Sequence, residues 1–559
     1  MSIYYQQIKQ FYQFFFNFFS YRDLVFFSLF FIFNVVSQNY LINLFLLLVF
    51  LLLYFATISL GEDNSAQNLF LKKKSIFYSC IIFFYSLLLV SNFVYTPNSF
   101  YFKWSFLLFE YYPFVLNFGV NGIGLSFIML TTFLIPLCLL VSIDTITHSL
   151  KNFILCIFLV EFLLILAFSA IDLFIFYIVF EGLLIPMFFL IGIWGSRERK
   201  SIASFYLFLY TLIGSLVMLA ALIYLMFNYG RVDLPYLKFI TFSQVEQWYL
   251  FLAFFIGFAV KIPIYPFHLW LPEAHVEAPT AGSMILAGLL LKLGGFGFLR
   301  FILLLFPWAV IELTSVIFIF TFLSILFSSF AALRQTDLKR LIAYSSIAHM
   351  NLSLAGIFTL TQEGIVGGIY SMWAHGITSS ALFALAGIVY SRSGTRLISY
   401  YGGLIKPMPL FSAFLFFFII SNVAFPGTSN FIGELLLFFG LITKIKIMFF
   451  IPFLGAFLCL AYTILFFNRI IFGTLKVYHN IKFMDLTFLE AFALVIFIIC
   501  NIILGLVPNI FISFISIDII TLLSEFELKL YMQDLYSMVN MQQNLGVLVS
   551  FLRQYFFIN

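Results

Sequence analysis

The sequence predicts an all-α polytopic membrane protein: about 14 core transmembrane helices with two inverted five-helix repeats and discontinuous helices 7 and 12, plus N- and C-terminal extensions. Three observations carry that expectation. Hydrophobic residues make up 64% and charged residues 9% of the chain, with a mean hydropathy of +1.12, whereas an ordinary soluble domain is about 25% charged. Apolar runs of about 20 residues, the length that crosses a bilayer as helix, recur from end to end. Two of these runs are broken near their middles by proline beside ionisable residues, at Lys261-Ile-Pro-Ile-Tyr-Pro and at Phe425-Pro-Gly-Thr-Ser-Asn followed by Glu434.

Fifteen runs fit the length criterion. The first, residues 22–37, is short and as Phe-rich at its flanks as at its centre, so it either spans the membrane or lies on it; it falls within an N-terminal extension, 1–40. Spans 1 to 3 occupy 41–60, 76–95 and 122–143. Spans 4 to 8 lie at 152–169, 171–193, 202–228, 249–271 and 281–304. Spans 9 to 13 lie at 308–329, 338–358, 364–390, 407–443 and 448–471, and span 14 at 486–508. The broken spans 7 and 12 are five apart, and an odd offset turns one copy upside down. Spans 4–8 (residues 144–304) and 9–13 (305–472) are therefore the expected repeats, followed by 473–510 with helix 14 and by a tail, 511–559. Paired broken helices in inverted repeats point to a midplane ion site.

Charge sets orientation. Loops after odd-numbered spans hold sixteen Lys and Arg, those after even-numbered spans six, which puts the odd loops on the cytoplasmic or matrix side. The net charge of +5 therefore describes topology, and with no aromatic-interleaved basic patch it implies no nucleic-acid partner. Cys80, Cys138, Cys156, Cys459 and Cys500 are scattered through apolar runs without CxxC spacing, which argues against zinc, iron–sulfur clusters and disulfides and reads as small buried hydrophobes. The N-terminus carries aromatics and glutamines where a cleavable leader would carry basic residues. The 83 phenylalanines fit an AT-rich coding genome such as an organelle's.

A lysine at the bilayer centre costs about 2.5–3.5 kcal/mol, so Lys261 persists only facing protein or water. Glu161, Glu181, Lys292 and His349 also fall near the centres of spans 4, 5, 8 and 10, and His375 falls in span 11. With Glu434 they suggest alternating sign along a buried route, where proximity favours ionised forms and burial disfavours them, the balance a proton relay exploits. A static ion pair is the alternative for Glu181 and Lys261. Lys292 has no obvious neighbour in its own helix, whose Gly294, Gly295 and Gly297 favour close packing. His268 lies two turns beyond Lys261 if the helix resumes. His275 and Glu273 read either as site residues or as a solvated loop, Asp172, close to a membrane face, as a solvated end residue, and His148 and His479 as uninvolved loop residues. His349 with His375 is also the one pair on consecutive spans that a bis-histidine haem protein would need.

The stretches Phe180–Gly195 and Val260–Pro279, extended by Leu291–Gly297 and Pro426–Glu434, resemble the antiporter-like subunits of proton-pumping NADH dehydrogenases. The resemblance covers residues 115–480, roughly. It implies that Glu181 tunes Lys261, that Lys292 connects two half-channels, that Glu434 serves the exit half, and that Glu161, His268, His349 and His375 line the hydrated axis. An acid at Glu434, where another chain of the family has lysine, and the expectation that no long lateral helix follows narrow the match within the family. The resemblance further implies that NADH, flavin, iron–sulfur clusters and ubiquinone belong to other subunits and no cofactor to this chain. The implied partners are other membrane-arm subunits, neighbouring antiporter-like ones above all, and membrane lipid; the implied place is the mitochondrial inner membrane. Asp518, Glu525, Glu527, Lys529 and Asp534 lie beyond the usual pattern, in a tail that either binds other subunits or rests on the surface. The competing expectations are a subunit of a multisubunit cation/proton antiporter, a haem- or quinone-binding electron carrier, and a scaffold that transports nothing.

Overall fold

The computed structural model describes residues 39–59, 65–93, 100–107, 115–142, 145–146, 148–444, 446, 449–476 and 483–556. The run at 22–37 and His479 lie outside the described residues. All fourteen core spans are helical, from Tyr40–Ser59 to Phe488–Leu506. Among the described residues, twelve helices are long and apolar enough to cross a membrane by length and composition, eleven of the core spans and the helix that follows span 14. Spans 7, 10 and 12 are missing from those twelve, being broken or comparatively polar, and they carry Lys261, His349 and Glu434.

Span 8 (Thr280–Leu305) and the length of span 11 (Gln362–Ser393) between its two ends are buried and form the centre, with span 3 (Gly122–Ser142) beside them. Spans 13 (Phe450–Ile471) and 14 are mostly exposed and present apolar residues such as Phe457, Phe492 and Ile499 outward. Many polar side chains are buried inside the bundle while large apolar ones face outward, as expected where the surroundings are lipid and buried polar groups can pair with one another.

Both broken spans have identifiable causes. Span 7 is Gln244–Lys261 followed by Trp270–Glu277. Pro263 cannot donate to the Ala259 carbonyl, which the Ile264 N–H takes instead at 3.1 Å. The freed backbone finds partners in neighbouring helices: Asn351 Nδ2 of span 10 donates to the Pro263 carbonyl at 3.2 Å, and Tyr265 N–H donates to Ser324 Oγ of span 9 at 2.8 Å. Span 12 is Pro409–Asn422 followed by Ser429–Lys444. Its Gly427 has φ +92°, a left-handed conformation glycine adopts without strain. Asn501 of span 14 accepts from Ser429 N–H at 3.2 Å and donates to Ser421 Oγ at 2.8 Å. Span 7 packs on span 6 as span 12 packs on span 11, and span 5 meets span 6 as span 10 meets span 11, the pairing a five-helix repeat requires. Span 5 is also interrupted, between Leu173–Gly182 and Leu184–Trp194, where Pro186 cannot bond the Gly182 carbonyl.

Two features depart from the sequence expectation. Between spans 2 and 3, where a loop was expected, strands β1 (Tyr101–Leu107) and β2 (Val115–Val120) pair antiparallel, with Trp104 opposite Phe118 and Leu107 opposite Val115. Aromatic cross-strand pairs stabilise such a hairpin. After span 14, where a tail without a long lateral helix was expected, comes a single 48-residue helix, Asn509–Phe556, whose first part, Asn509–Gln533, is itself long and apolar enough to cross a membrane. It packs on spans 3, 9 and 11 and on the end of span 8. Asp518 on this helix accepts from Ile123 N–H at 2.9 Å, Glu525 pairs with Lys238 at 2.6 Å, and Lys529 donates to the Leu237 carbonyl at 3.2 Å.

Candidate functional site

Span 8 holds Lys292 in the α-helical turn Leu291–Gly297, between two π-helical turns, Leu286–Leu290 and Phe298–Ile302. Such turns shift the carbonyl register and recur at functional sites. Here the Ala287 carbonyl accepts from Lys292 Nζ. The same Nζ lies 3.0 Å from His375 Nδ1 of span 11, and Lys292 is fully buried. The His375 ring stands 5.7 Å, centroid to centroid, from the His349 ring of span 10 (Leu338–Ile357). His349 Nδ1 is 3.2 Å from Glu434 Oε1 of span 12. Lys292, His375, His349 and Glu434 therefore form one buried line through four spans. Gly433 lets the Glu434 helix approach span 11, since a Cβ there would sit 3.0 Å from Ser371 backbone atoms.

Both nitrogens of His349 are engaged, Nδ1 by Glu434 and Nε2 by Cys459 Sγ at 3.6 Å. Both ring nitrogens of His349 therefore face protein groups, a carboxylate on one side and a thiol on the other. Among the described residues no group of three or more His, Cys, Asp or Glu converges to hold a metal ion.

Lys261 ends the first half of span 7, where the helix dipole favours a cation. Its Nζ sits 4.4 Å above the Phe180 ring, and its electrostatic neighbour is Glu181, at the interruption of span 5. No ion pair within 4.0 Å joins the two among the described residues, and Glu181 Oε1 is buried without a partner, so the static-pair reading is not what the structure holds. Gly294 brings the break against span 8: a Cβ there would lie 3.3 Å from Lys261 Cβ and 3.1 Å from Ile262 N. Among the described residues no hydrogen bond or ion pair links Lys261 to Lys292. The two halves meet through backbone packing.

The remaining sequence candidates separate from this line. Glu161 is fully buried in span 4 (Leu150–Ser169), near Cys138, with both carboxylate oxygens unpartnered. His268 does not continue the face of Lys261, because the helix resumes only at Trp270; it stacks on Tyr265 at 5.6 Å and meets Phe327 at 5.2 Å. Asp172 caps the start of span 5, accepting from Phe174 N–H at 2.9 Å, but it is buried and not the solvated end residue expected.

His275 is not in a solvated loop. It is fully buried in the second half of span 7, stacked on Phe383 at 4.4 Å, with Lys339 and Lys292 as electrostatic neighbours. Lys339 Nζ donates to the Ala278 carbonyl at 2.8 Å. Above them, on the face of the odd loops, a cavity of about 490 Å³ is lined by Arg197, Arg199, Glu198, Glu273, Glu277 and Arg340. Glu273 pairs with Arg340 at 2.5 Å, and the buried Arg396 reaches Glu277 at 4.0 Å as well as Ser196 Oγ and the Val276 carbonyl. Sequence reasoning left His275 between a site residue and a solvated loop, read Cys459 only as a small hydrophobe, and did not single out Asn351.

Broken helices around a buried line of ionisable side chains define a membrane ion-translocating, antiporter-like class, and a family model for "NADH:quinone oxidoreductase/Mrp antiporter, TM" matches residues 170–459. The chain is 47% identical over 463 residues to NADH-ubiquinone oxidoreductase chain 4 of Chondrus crispus, covering 82% of this chain and 94% of that one. It is 46% identical over 435 residues to the chain 4 of Arabidopsis thaliana, covering 78% and 88%. It therefore belongs to the NADH-ubiquinone oxidoreductase chain 4 family. Among solved structures, one chain of respiratory complex I from Thermus thermophilus with bound NADH superposes with a TM-score of 0.76 at 26% identity, over 87% of this chain and 99% of that one. An archaeal membrane-bound sulfane sulfur reductase chain shares the fold, with a TM-score of 0.72 at 24% identity, over 79% of this chain and 72% of that one.

Proposed function

We infer that this chain translocates protons as an antiporter-like subunit of NADH:ubiquinone oxidoreductase in the mitochondrial inner membrane. The observation that carries the reading is the buried line Lys292–His375–His349–Glu434. An imidazole can accept a proton on one ring nitrogen and release it from the other, so the two histidines join a buried amine to a buried carboxylate without any side chain crossing the membrane. The charged cavity of the odd face, with His275 and Lys339 beneath it, supports uptake from the matrix side. Each proton moved against 100 mV requires about 2.3 kcal/mol, so the line must open to the two faces alternately.

In this reading residues 41–143 carry spans 1–3, 144–304 the first repeat, 305–472 the second and 473–510 helix 14, while 1–40 and 511–559 are terminal extensions. Glu181 tunes Lys261 in the first repeat, and a change there reaches Lys292 through the packing of the span 7 break on span 8. Glu161 and His268 stand apart from the line and contribute less. NADH oxidation, flavin, iron–sulfur clusters and ubiquinone belong to other subunits of the complex, and the partners are its other membrane-arm subunits.

The multisubunit cation/proton antiporter is the second reading, because the family model spans both groups. Affinity purification of the native chain decides between them. Co-purification with a large NADH-oxidising complex, and proton pumping indifferent to sodium, are the expected results. Recovery without NADH oxidation and with sodium-dependent proton exchange would overturn the assignment.

A further inference from the structure

Cys459 sits in span 13, 4% exposed, at the junction of spans 10, 12 and 13. Its Sγ lies 3.6 Å from His349 Nε2, 3.7 Å from the Asn422 carbonyl oxygen and 3.7 Å from Asn422 Nδ2. That carbonyl is available for a reason written in the sequence. The residue four positions on is Pro426, which has no N–H to give it, and the neighbouring N–H groups of Val423, Ala424 and Phe425 go to Ile419, Ser421 and Ile420. The break in span 12 thus leaves an oxygen facing the thiol. One turn further along span 13, the buried Tyr462 hydroxyl stands beside Cys459, Ser345 and Glu434.

We propose that Cys459 is a positioning residue for the proton path, its thiol turning between His349 Nε2 and the Asn422 carbonyl so that the imidazole keeps a hydrogen bond in both protonation states. This rests on the relay reading above. With His349 neutral and its Nδ1–H donated to Glu434, Nε2 is an acceptor and the thiol donates to it. When His349 gains a proton, Nε2–H becomes a donor; sulfur then accepts from it, and the S–H turns to the Asn422 oxygen. A thiol is a weak donor and a weak acceptor, so it fits both arrangements without trapping either. The sulfur keeps its own proton throughout, and nothing is oxidised. The titratable groups facing His349 are Glu434 from span 12, His375 from span 11 and Cys459 with Tyr462 from span 13.

The test uses the assembled complex carrying Cys459→Val or Cys459→Ser. Loss of one net hydrogen bond on one state of His349 corresponds to about a threefold to tenfold change. Cys459→Val is therefore expected to slow NADH-driven proton pumping by that factor and to displace its pH profile, whereas Cys459→Ser, which keeps a rotating donor and acceptor, restores both to within about twofold. Wild-type rate and pH profile in Cys459→Val would overturn the proposal. If that variant does not assemble, the infrared S–H band isolated as wild type minus Cys459→Ser decides. A band that moves between two positions across a pH titration supports the rotor, and a stationary band overturns it. His349→Gln separates the levels of the argument: if it pumps normally the relay itself fails, and if it stops pumping while Cys459→Val is silent only the rotor fails.

Discussion

Replacing Asn351 with leucine tests how the first broken helix is held. Asn351 is fully buried, and its Nδ2 donates to the Pro263 carbonyl at 3.2 Å and to the Ile347 carbonyl at 2.8 Å. Ile347 lies one turn back within the same helix, so its oxygen retains a backbone partner after the change. The Pro263 oxygen does not, and a buried acceptor left unsatisfied costs about 1–3 kcal/mol. That energy is concentrated at the break, two residues from Lys261, so the expected effect is local: backbone amides of residues 258–271 open about fivefold to a hundredfold more often. Hydrogen–deuterium exchange of the assembled complex, read by mass spectrometry on peptides from span 7, measures this directly. Proton pumping falls with it, because the same break positions Lys261 against span 8. Unchanged exchange in span 7, with unchanged pumping, would refute the view that span 10 latches the break.

Other consequences follow from the same geometry. Lys261→Ala is expected to leave assembly intact on native gels, because among the described residues no ion pair holds the lysine, and to lower NADH-driven pumping in vesicles by tenfold or more, roughly the 1.4 kcal/mol step of a lost electrostatic contact. Lys292→Met removes the hydrogen bonds to Ala287 and His375 but also a buried charge, so thermal inactivation should change little or slow while pumping is lost. Gly427→Ala forces a side chain onto φ +92°; a strained backbone of this kind costs about 1–3 kcal/mol, seen as faster thermal inactivation of the complex.

Much of the architecture was legible because lipid leaves little freedom: apolar runs of the right length became helices, and both prolines-with-charge became breaks. Lys261 and Glu434 stood out as ionisable residues beside those breaks. The missed features share one cause. When nearly every face of every helix is apolar, periodicity no longer separates inside from outside, so nothing in the run 338–358 said that Asn351 faces span 7 and His349 faces span 12. Cys459 read as a small hydrophobe because its partners, His349 and Asn422, are 110 and 37 residues away. The hairpin 101–120 was hidden by aromatic richness on both sides, which erased the alternation a strand usually shows. His268 failed differently: the helical spacing assumed for it does not survive Pro263 and Pro266.

The most direct measurement of the relay is the number of protons pumped per NADH oxidised in sealed vesicles carrying His349→Gln, a variant that keeps hydrogen-bonding capacity and cannot carry a proton between two ring nitrogens. The relay predicts a fully assembled complex that still oxidises NADH and delivers fewer protons per electron pair. An unchanged ratio, with the variant confirmed in the assembled complex, would contradict it.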